Sequence, residues 1–309
     1  MAIQIKKSVG RYVIPLVLSL IVIPFCNAGQ PDSLLLNMMP DIPEAITEPP
    51  GRAAYLAMHY WDRYDFGDES RLMTDHLLER GFVDYLDLLS LVPADTMNRS
   101  IRALMKKAED RREIFLFLAK LSERYLYEPD SPVYDEEKLI PFLQEEIQSP
   151  ALGDAEKIRP QFLLRSVMQN RAGHTANDFT YTLTDGSTGT LHGLSADYIL
   201  LYFNDPECED CLLLTRKLIV SPVINDFIGQ GKLKILTVYT DDDLEAWRKH
   251  APDVLKSWIY SRDAGQIINM EGVYNIKRFP TAYLLDKDKK VLLKETSFEI
   301  LENYFGKLQ

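Results

Sequence analysis

Two kinds of hydrophobic pattern divide the chain. Between residues 52 and 171 apolar positions recur at three- and four-residue spacing, as in Phe82, Leu86 and Leu89 and again in Ile101, Leu104, Met105 and Ala108, which is the signature of helix faces turned to a core. About six helices fit this stretch, with Thr96, Asp110 and Asp135 as candidate N-caps and Pro93, Pro129 and Pro132 in the connections. Past Gly173 the pattern changes to alternation and short buried runs. Residues 179–183 and 188–191 flank a turn at Asp185-Gly186 and predict a strand pair. Residues 198–203 are continuously apolar, as expected of a strand covered on both faces. A helix is predicted over 209–220, a second buried strand over 234–240, and a helix over 241–249 whose acids sit at its dipole-favoured start. Residues 282–285 and 291–294 predict a hairpin. Thr296 with Glu299 forms a capping box opening a last helix that buries Phe298, Leu301 and Phe305.

The two ends of the helical stretch differ from it. Residues 1–28 carry Lys6, Lys7 and Arg11, no acid, and an apolar run from Tyr12 to Phe25 that ends at Cys26-Asn27-Ala28, the layout of a signal peptide cleaved after Ala28, so that the mature chain begins at Gly29. The run is shorter than the roughly 20 residues a membrane span requires. Cys26 offers a second route, a lipid-modified cysteine, although Phe25 is larger than the residue lipoprotein signals place there. Membrane attachment is expected only by that route; both lead to the periplasm or cell envelope. Residues 29–51, with Pro40, Pro43, Pro49 and Pro50, read as a linker or surface arm. The domain plan is therefore a signal over 1–28, a linker over 29–51, a helical domain over 52–171 and a second domain over 172–309.

Charge and cysteine usage narrow the function. The 309 residues carry a formal charge of −11, and loss of Lys6, Lys7 and Arg11 with the signal makes the mature chain more acidic still, which disfavours nucleic acid as a partner. Only Cys208 and Cys211 then remain of the three cysteines, too few for a disulfide-stapled scaffold. Their C-x-x-C spacing is open to three readings: half a metal site, a structural bridge, or a redox pair. A zinc site wants four ligands, and the histidines at 59, 76, 174, 192 and 250 are scattered, so no metal and no cofactor are expected.

Position favours redox chemistry. Cys208 falls where a buried strand gives way to a helix, so its sulfur meets unpaired N–H groups and the positive end of the helix dipole, both of which stabilise the nucleophilic thiolate. Cys211, one turn on, lies within disulfide reach and can resolve a mixed disulfide. Asp205, Glu207, Glu209 and Asp210 oppose the thiolate. Each carboxylate at a wet site costs about 1 kcal/mol or less, against roughly 0.3 to 1 kcal/mol from the helix end, and the near-cancellation points to a reductant or weak exchanger rather than a strong oxidant.

Residues 172–294, about 40% of the chain, resemble the exported thioredoxin-like reductases of the TlpA and redoxin group. The likeness rests on Gly173-His-Thr-Ala-Asn-Asp178-Phe179 and the strand pair after it, on the Cys208–Cys211 motif after its buried strand, and on Tyr274-Asn-Ile-Lys-Arg-Phe-Pro280-Thr281-Ala-Tyr-Leu-Leu-Asp286. It implies an α/β thioredoxin-like fold, preceded here by an all-α helical domain. It also implies a cis Pro280 packed beside the cysteines, with the Phe279 backbone free to bind an extended substrate segment, so Phe279 and Pro280 are the expected substrate-binding residues. Tyr60-Trp61-Asp62 and Arg124-Tyr-Leu-Tyr-Glu-Pro-Asp-Ser-Pro132 resemble the N-terminal domain that accompanies such modules in envelope proteins of Bacteroides-like bacteria. Two departures stand out: Glu207 occupies a place where the group often has Trp, and Tyr202 stands where thioredoxins carry a buried acid.

The implied function is an exported thiol–disulfide oxidoreductase, with client proteins bearing thiols or disulfides and an envelope electron donor as partners. A thiol peroxidase is disfavoured because Asp205 replaces the Thr or Ser such enzymes place three residues before the cysteine. The non-enzymatic alternative is a thioredoxin-fold interaction module with a structural disulfide. Tyr55, Tyr60, Trp61, Tyr64 and Phe66 read as packing between helices, and His174 and His192 as ordinary surface residues.

Overall fold

The computed structural model describes residues 39–67, 75–250 and 257–309. The expected signal over 1–28, with its expected cleavage before Gly29 and the alternative lipidation at Cys26, lies outside the described residues.

Six described helices build the N-terminal domain: α1 Pro49–His59, α2 Asp75–Leu89, α3 Ala94–Ala108, α4 Arg112–Leu126, α5 Glu136–Gln148 and α6 Asp154–Met168. The stripes read from the sequence meet in one core, where Phe82, Leu86, Ile101, Leu104, Phe115, Leu118, Phe142 and Val167 are buried together. Each such side chain contributes about 1.5–3 kcal/mol by leaving water. A buried polar thread crosses this core: Ser100 donates to the Ala57 carbonyl at 2.5 Å and bonds Tyr85 Oη at 2.6 Å, so neither hydroxyl is left unpaired. Tyr60 and Trp61 are buried and pack edge-on, with Tyr64 and Phe66 against them, so this aromatic cluster is core.

Local chemistry bears out one of the three predicted starts and corrects two. Asp135 does cap α5, accepting from the Lys138 amide at 3.1 Å, but Thr96 is buried inside α3, which opens after Pro93, and α4 opens after Arg111 rather than at Asp110. Pro49 and Pro50 are the first turn of α1 instead of linker, since proline's missing N–H costs nothing there. The arm ahead of them is tied to the domain by Arg63, which bonds the Met39 carbonyl and Asp41.

The second domain is a seven-stranded mixed sheet with helices on it. Its elements are β1 Thr180–Leu183, β2 Thr188–Thr190, β3 Tyr198–Phe203, α7 Glu209–Val220, α8 Pro222–Gly229, β4 Leu233–Tyr239, α9 Leu244–His250, β5 Ile259–Arg262, α10 Ile267–Met270, β6 Thr281–Asp286, β7 Val291–Leu293 and α11 Phe298–Gly306. The order is β2-β1-β5-β4-β3-β6-β7. β3 runs parallel to β4 (Leu200 opposite Ile235) and antiparallel to β6 (Tyr202 opposite Ala282). Alternate residues of β3 feed two cores: Ile199, Leu201 and Phe203 pack with Tyr274 and Tyr283, and Leu200 and Tyr202 with Leu218, Phe227 and Phe305.

The β5 strand has no counterpart in the hydrophobic pattern. Its Ser261 is fully buried because its hydroxyl donates to the Thr237 carbonyl at 2.7 Å, so a polar residue fills a core position. α9 begins at Leu244, not Asp241, because Asp243 accepts from the amides of Glu245 and Ala246 at 3.0 and 2.9 Å. Ser297, not Thr296, caps α11, accepting from the Ile300 amide at 3.3 Å, while Glu299 turns away to bind Lys217 at 2.8 Å.

Candidate functional site

At the C-terminal end of β3 the chain turns sharply into α7. Asn204 extends the strand by donating to the Val238 carbonyl at 3.2 Å. The Asp205 carboxylate accepts from the Glu207 amide at 2.8 Å and its carbonyl from the Cys208 amide at 3.2 Å, which closes the turn and presents Cys208 as the residue immediately before the helix. Cys208 Sγ is the helix cap: it accepts from the Cys211 amide at 3.4 Å. An orphan N–H at the helix start is thus directed at the sulfur.

The two thiols are free and unlike. Cys208 is half-buried, whereas Cys211 is buried, and burial first, with the neighbouring Cys208 adding to it, pushes the Cys211 thiol up to about 12. Beneath them lies Tyr202, whose hydroxyl donates to the Cys211 carbonyl at 2.8 Å and lies 3.1 Å from Thr215 Oγ1. Burial raises the Tyr202 phenol well above its ordinary range, so it is neutral at physiological pH and cannot accept the Cys211 proton as a carboxylate would.

Phe279 and Pro280 stand opposite. The peptide bond between them is cis, and the Phe279 carbonyl oxygen lies 3.8 Å from Cys208 Sγ, within reach of its S–H. Thr281 Oγ1 donates to the Arg278 carbonyl at 2.6 Å, closing the loop just before β6. All four residues singled out in the sequence therefore share one place. The loop also lines a groove of about 290 Å³ whose other walls are Leu213, Leu214 and Lys217 of α7, the start of α11, and Pro129 and Tyr134 of the helical domain.

Acids border the cysteine side. The Tyr239 hydroxyl is pushed up to about 12 by burial and then by Asp241, Asp205, Asp243 and Glu207, which places the loop after β3 and the loop after β4 on one electronegative rim. His192 belongs elsewhere, its Nε2 lying 2.8 Å from the Ala176 carbonyl. Among the described residues no group of three or more His, Cys, Asp or Glu side chains is arranged to hold a metal ion.

Sequence reasoning missed a polar cluster that joins the two domains beside the proline loop. Lys277 pairs with Glu136 and donates to Tyr134 Oη at 2.6 Å; Tyr134 in turn donates to Glu295 at 2.6 Å, and Lys294 pairs with Glu136 at 2.7 Å. Burial and the adjacent Glu136 carboxylate raise the Glu295 carboxyl above its ordinary value. The two segments that meet here, around Tyr127 and around Phe279, lie far apart in the chain. Their separate resemblances to family motifs are the sole signal of them in the sequence.

Comparison with known proteins agrees with this architecture. The thioredoxin-like family matches residues 196–291, and a domain of unknown function, DUF5106, matches residues 27–170. The crystal structure of a thioredoxin-like protein from Bacteroides caccae is similar over 88% of this chain and 98% of its own, with 38% identity and a TM-score of 0.84. The C-terminal domain of an uncharacterized protein from Bacteroides fragilis is 42% identical over 44% of this chain and 98% of its own, with a TM-score of 0.44. The thioredoxin domain of a thiol-disulfide oxidoreductase from Bacteroides vulgatus is 26% identical over 45% of this chain and 97% of its own, with a TM-score of 0.38. No curated protein matches the chain.

Proposed function

Because the chain belongs to the thioredoxin-like family, with a DUF5106 domain ahead of the thioredoxin-like fold, we propose that it is a thiol–disulfide oxidoreductase in which Cys208 attacks and Cys211 resolves. The observation that carries this reading is the placement of Cys208 Sγ, which takes the Cys211 N–H at the helix start while facing the Phe279 carbonyl. A sulfur in that position is half-buried at a helix start and next to a backbone acceptor that an extended polypeptide can use.

The reaction follows from the two thiols. The Cys208 thiolate attacks one sulfur of a client disulfide, forming a mixed disulfide and releasing a client thiolate. Cys211 then gives up its proton and attacks Cys208 sulfur, forming the Cys208–Cys211 disulfide and releasing the second client thiolate. The client gains two electrons and the protein loses two, so a dithiol donor must restore the pair. The acidic rim beside the pair supports a reductant or exchanger rather than a strong oxidant. Client proteins with disulfides and an envelope dithiol donor are the partners this chemistry calls for.

Location is part of the proposal. The basic start and apolar run of residues 1–28 support export to the periplasm or cell envelope, by cleavage after Ala28 or with a lipid on Cys26; the mass of the mature protein from its native host distinguishes the two. The redox reading is tested by titrating the pair against glutathione or dithiothreitol and trapping free thiols by alkylation. A reversible couple near the thioredoxin value of about −270 mV supports the oxidoreductase, whereas resistance to reduction below about −300 mV makes the pair a structural clip and the protein an interaction module.

A further inference from the structure

The loop that faces Cys208 is held from outside its own domain. Lys277, two residues before Phe279, has a side chain only 8% exposed, as has its partner Glu136. Its ammonium also lies 4.0 Å from the centre of the Tyr127 ring and 4.6 Å from that of Tyr134. All three of these partners belong to the helical domain, and the carboxylate nearest in its own domain, Glu295, is 3.9 Å away. Asn275, on the same stretch, donates to Tyr127 Oη at 3.0 Å.

A buried cation is tolerated only where paired charge and hydrogen bonds replace its hydration, and those partners must be held in place. Here the helical domain supplies them through the segment that contains Tyr127, Tyr134 and Glu136. Downstream the loop is fixed by its own sheet, Thr281 pairing with Phe203. Between these two anchors lie Arg278, Phe279 and Pro280. A spacer domain has no need to satisfy a buried charge in the catalytic loop of its neighbour.

We infer that Lys277 is a positioning residue through which the helical domain sets the Phe279–Pro280 loop against Cys208 to receive an extended segment of a client protein. This rests on the redox reading of Cys208 and Cys211. The helical domain thereby determines how well the loop binds a polypeptide, and leaves the intrinsic chemistry of the thiols alone.

The test uses the full mature chain with Lys277→Met and, separately, Glu136→Gln, which removes the anion but keeps its shape should the first variant fail to fold. Reduction of insulin, a protein disulfide, is compared with reduction of a small aromatic disulfide that needs no polypeptide groove, and amide hydrogen exchange is followed along the chain. The expected result is a KM for insulin raised about ten- to hundredfold, the scale of loss when a reacting geometry drifts by up to an ångström. The small-disulfide rate and the redox midpoint should stay as in the wild type, and exchange should quicken at residues 275–281. Equal losses on both disulfides, or unchanged exchange at that loop in both variants, overturn the inference. A wild-type protein that reduces neither substrate overturns the redox reading instead, and is recognised without any variant.

Discussion

The unlike environments of the two thiols set a rate that can be measured directly. Burial pushes Cys211 up to about 12 from an ordinary value near 9, so its thiolate fraction at pH 8 falls about a thousandfold. A more basic thiolate is also more nucleophilic, with a Brønsted slope of about 0.4–0.5, which returns roughly 15- to 30-fold and leaves a net slowing of roughly 30- to 60-fold. Steric exclusion at a side chain that is 1% exposed adds to this. The perturbation is Cys208→Ser, which isolates Cys211; the main cause, burial, survives the substitution, and the smaller contribution of the Cys208 thiol does not. Alkylation by iodoacetamide at pH 8, read at the Cys211 peptide by mass spectrometry, should be slower in the folded variant than in denaturant by at least the lower figure. Folded and denatured rates within about twofold of each other would refute the reasoning, since they would show Cys211 to be neither buried nor raised. The same property has a stability consequence. The folded state keeps the Cys211 proton to higher pH than the unfolded chain, so its contribution is complete below about pH 9 and is lost as pH rises toward 12.

Other groups give further tests. Glu146, buried with Oε1 unpartnered, is raised to about 8 by burial and then by Glu123; its folded-state pKa lies above the unfolded one, so stability is greatest below about pH 4.5 and falls as pH rises through 8. Thermal or urea melts should show the wild type losing roughly 3 kcal/mol between pH 4.5 and 7 relative to Glu146→Gln, and parallel pH profiles would contradict this. Tyr202→Phe deletes the bond to the Cys211 carbonyl and should lower the urea midpoint by the equivalent of about 1–2 kcal/mol with an unchanged m-value. Ser297→Ala removes the cap of α11 at a cost of about 1 kcal/mol, whereas Thr296→Ala should cost much less.

What the sequence disclosed depended on whether a residue's role was written in its neighbours. β3 is apolar throughout because both its faces are covered, and α7 follows it with cysteines at its start, so strand, helix and the position of the cysteine pair were legible together. The Phe279–Pro280 loop was legible through its position before β6 and through family likeness. β5 was not, because Ser261 enters the core by hydrogen-bonding Thr237, and nothing within four residues announces that partner. Adjacent hydroxyls at Thr296 and Ser297 made the cap of α11 ambiguous, and the competing Lys217 that draws Glu299 away comes from a helix some eighty residues earlier. Lys277 and Glu136 resemble any surface charges until the fold brings together residues 141 positions apart.

The site also raises the question of where the resolving proton goes. Cys211 is held neutral, the phenol beneath it is held neutral, and β3 carries no carboxylate that could take the proton. In the proposed reaction the first step itself produces a base, the client thiolate released next to the mixed disulfide. Burial, the main cause of the raised Cys211 thiol, outlasts the loss of the Cys208 thiol and leaves the client thiolate the weaker base, so in this scheme proton transfer from Cys211 is uphill and resolution is slowed. Slow resolution rewards firm retention of the client, because a segment that drifts from the groove takes the proton acceptor with it. In the proposed reaction a slow resolving thiol and a clamp on the proline loop are complementary: the chemistry lacks a buried acid, and the inferred role of Lys277 gives the helical domain a rigid wall against which the client can be kept until Cys211 reacts.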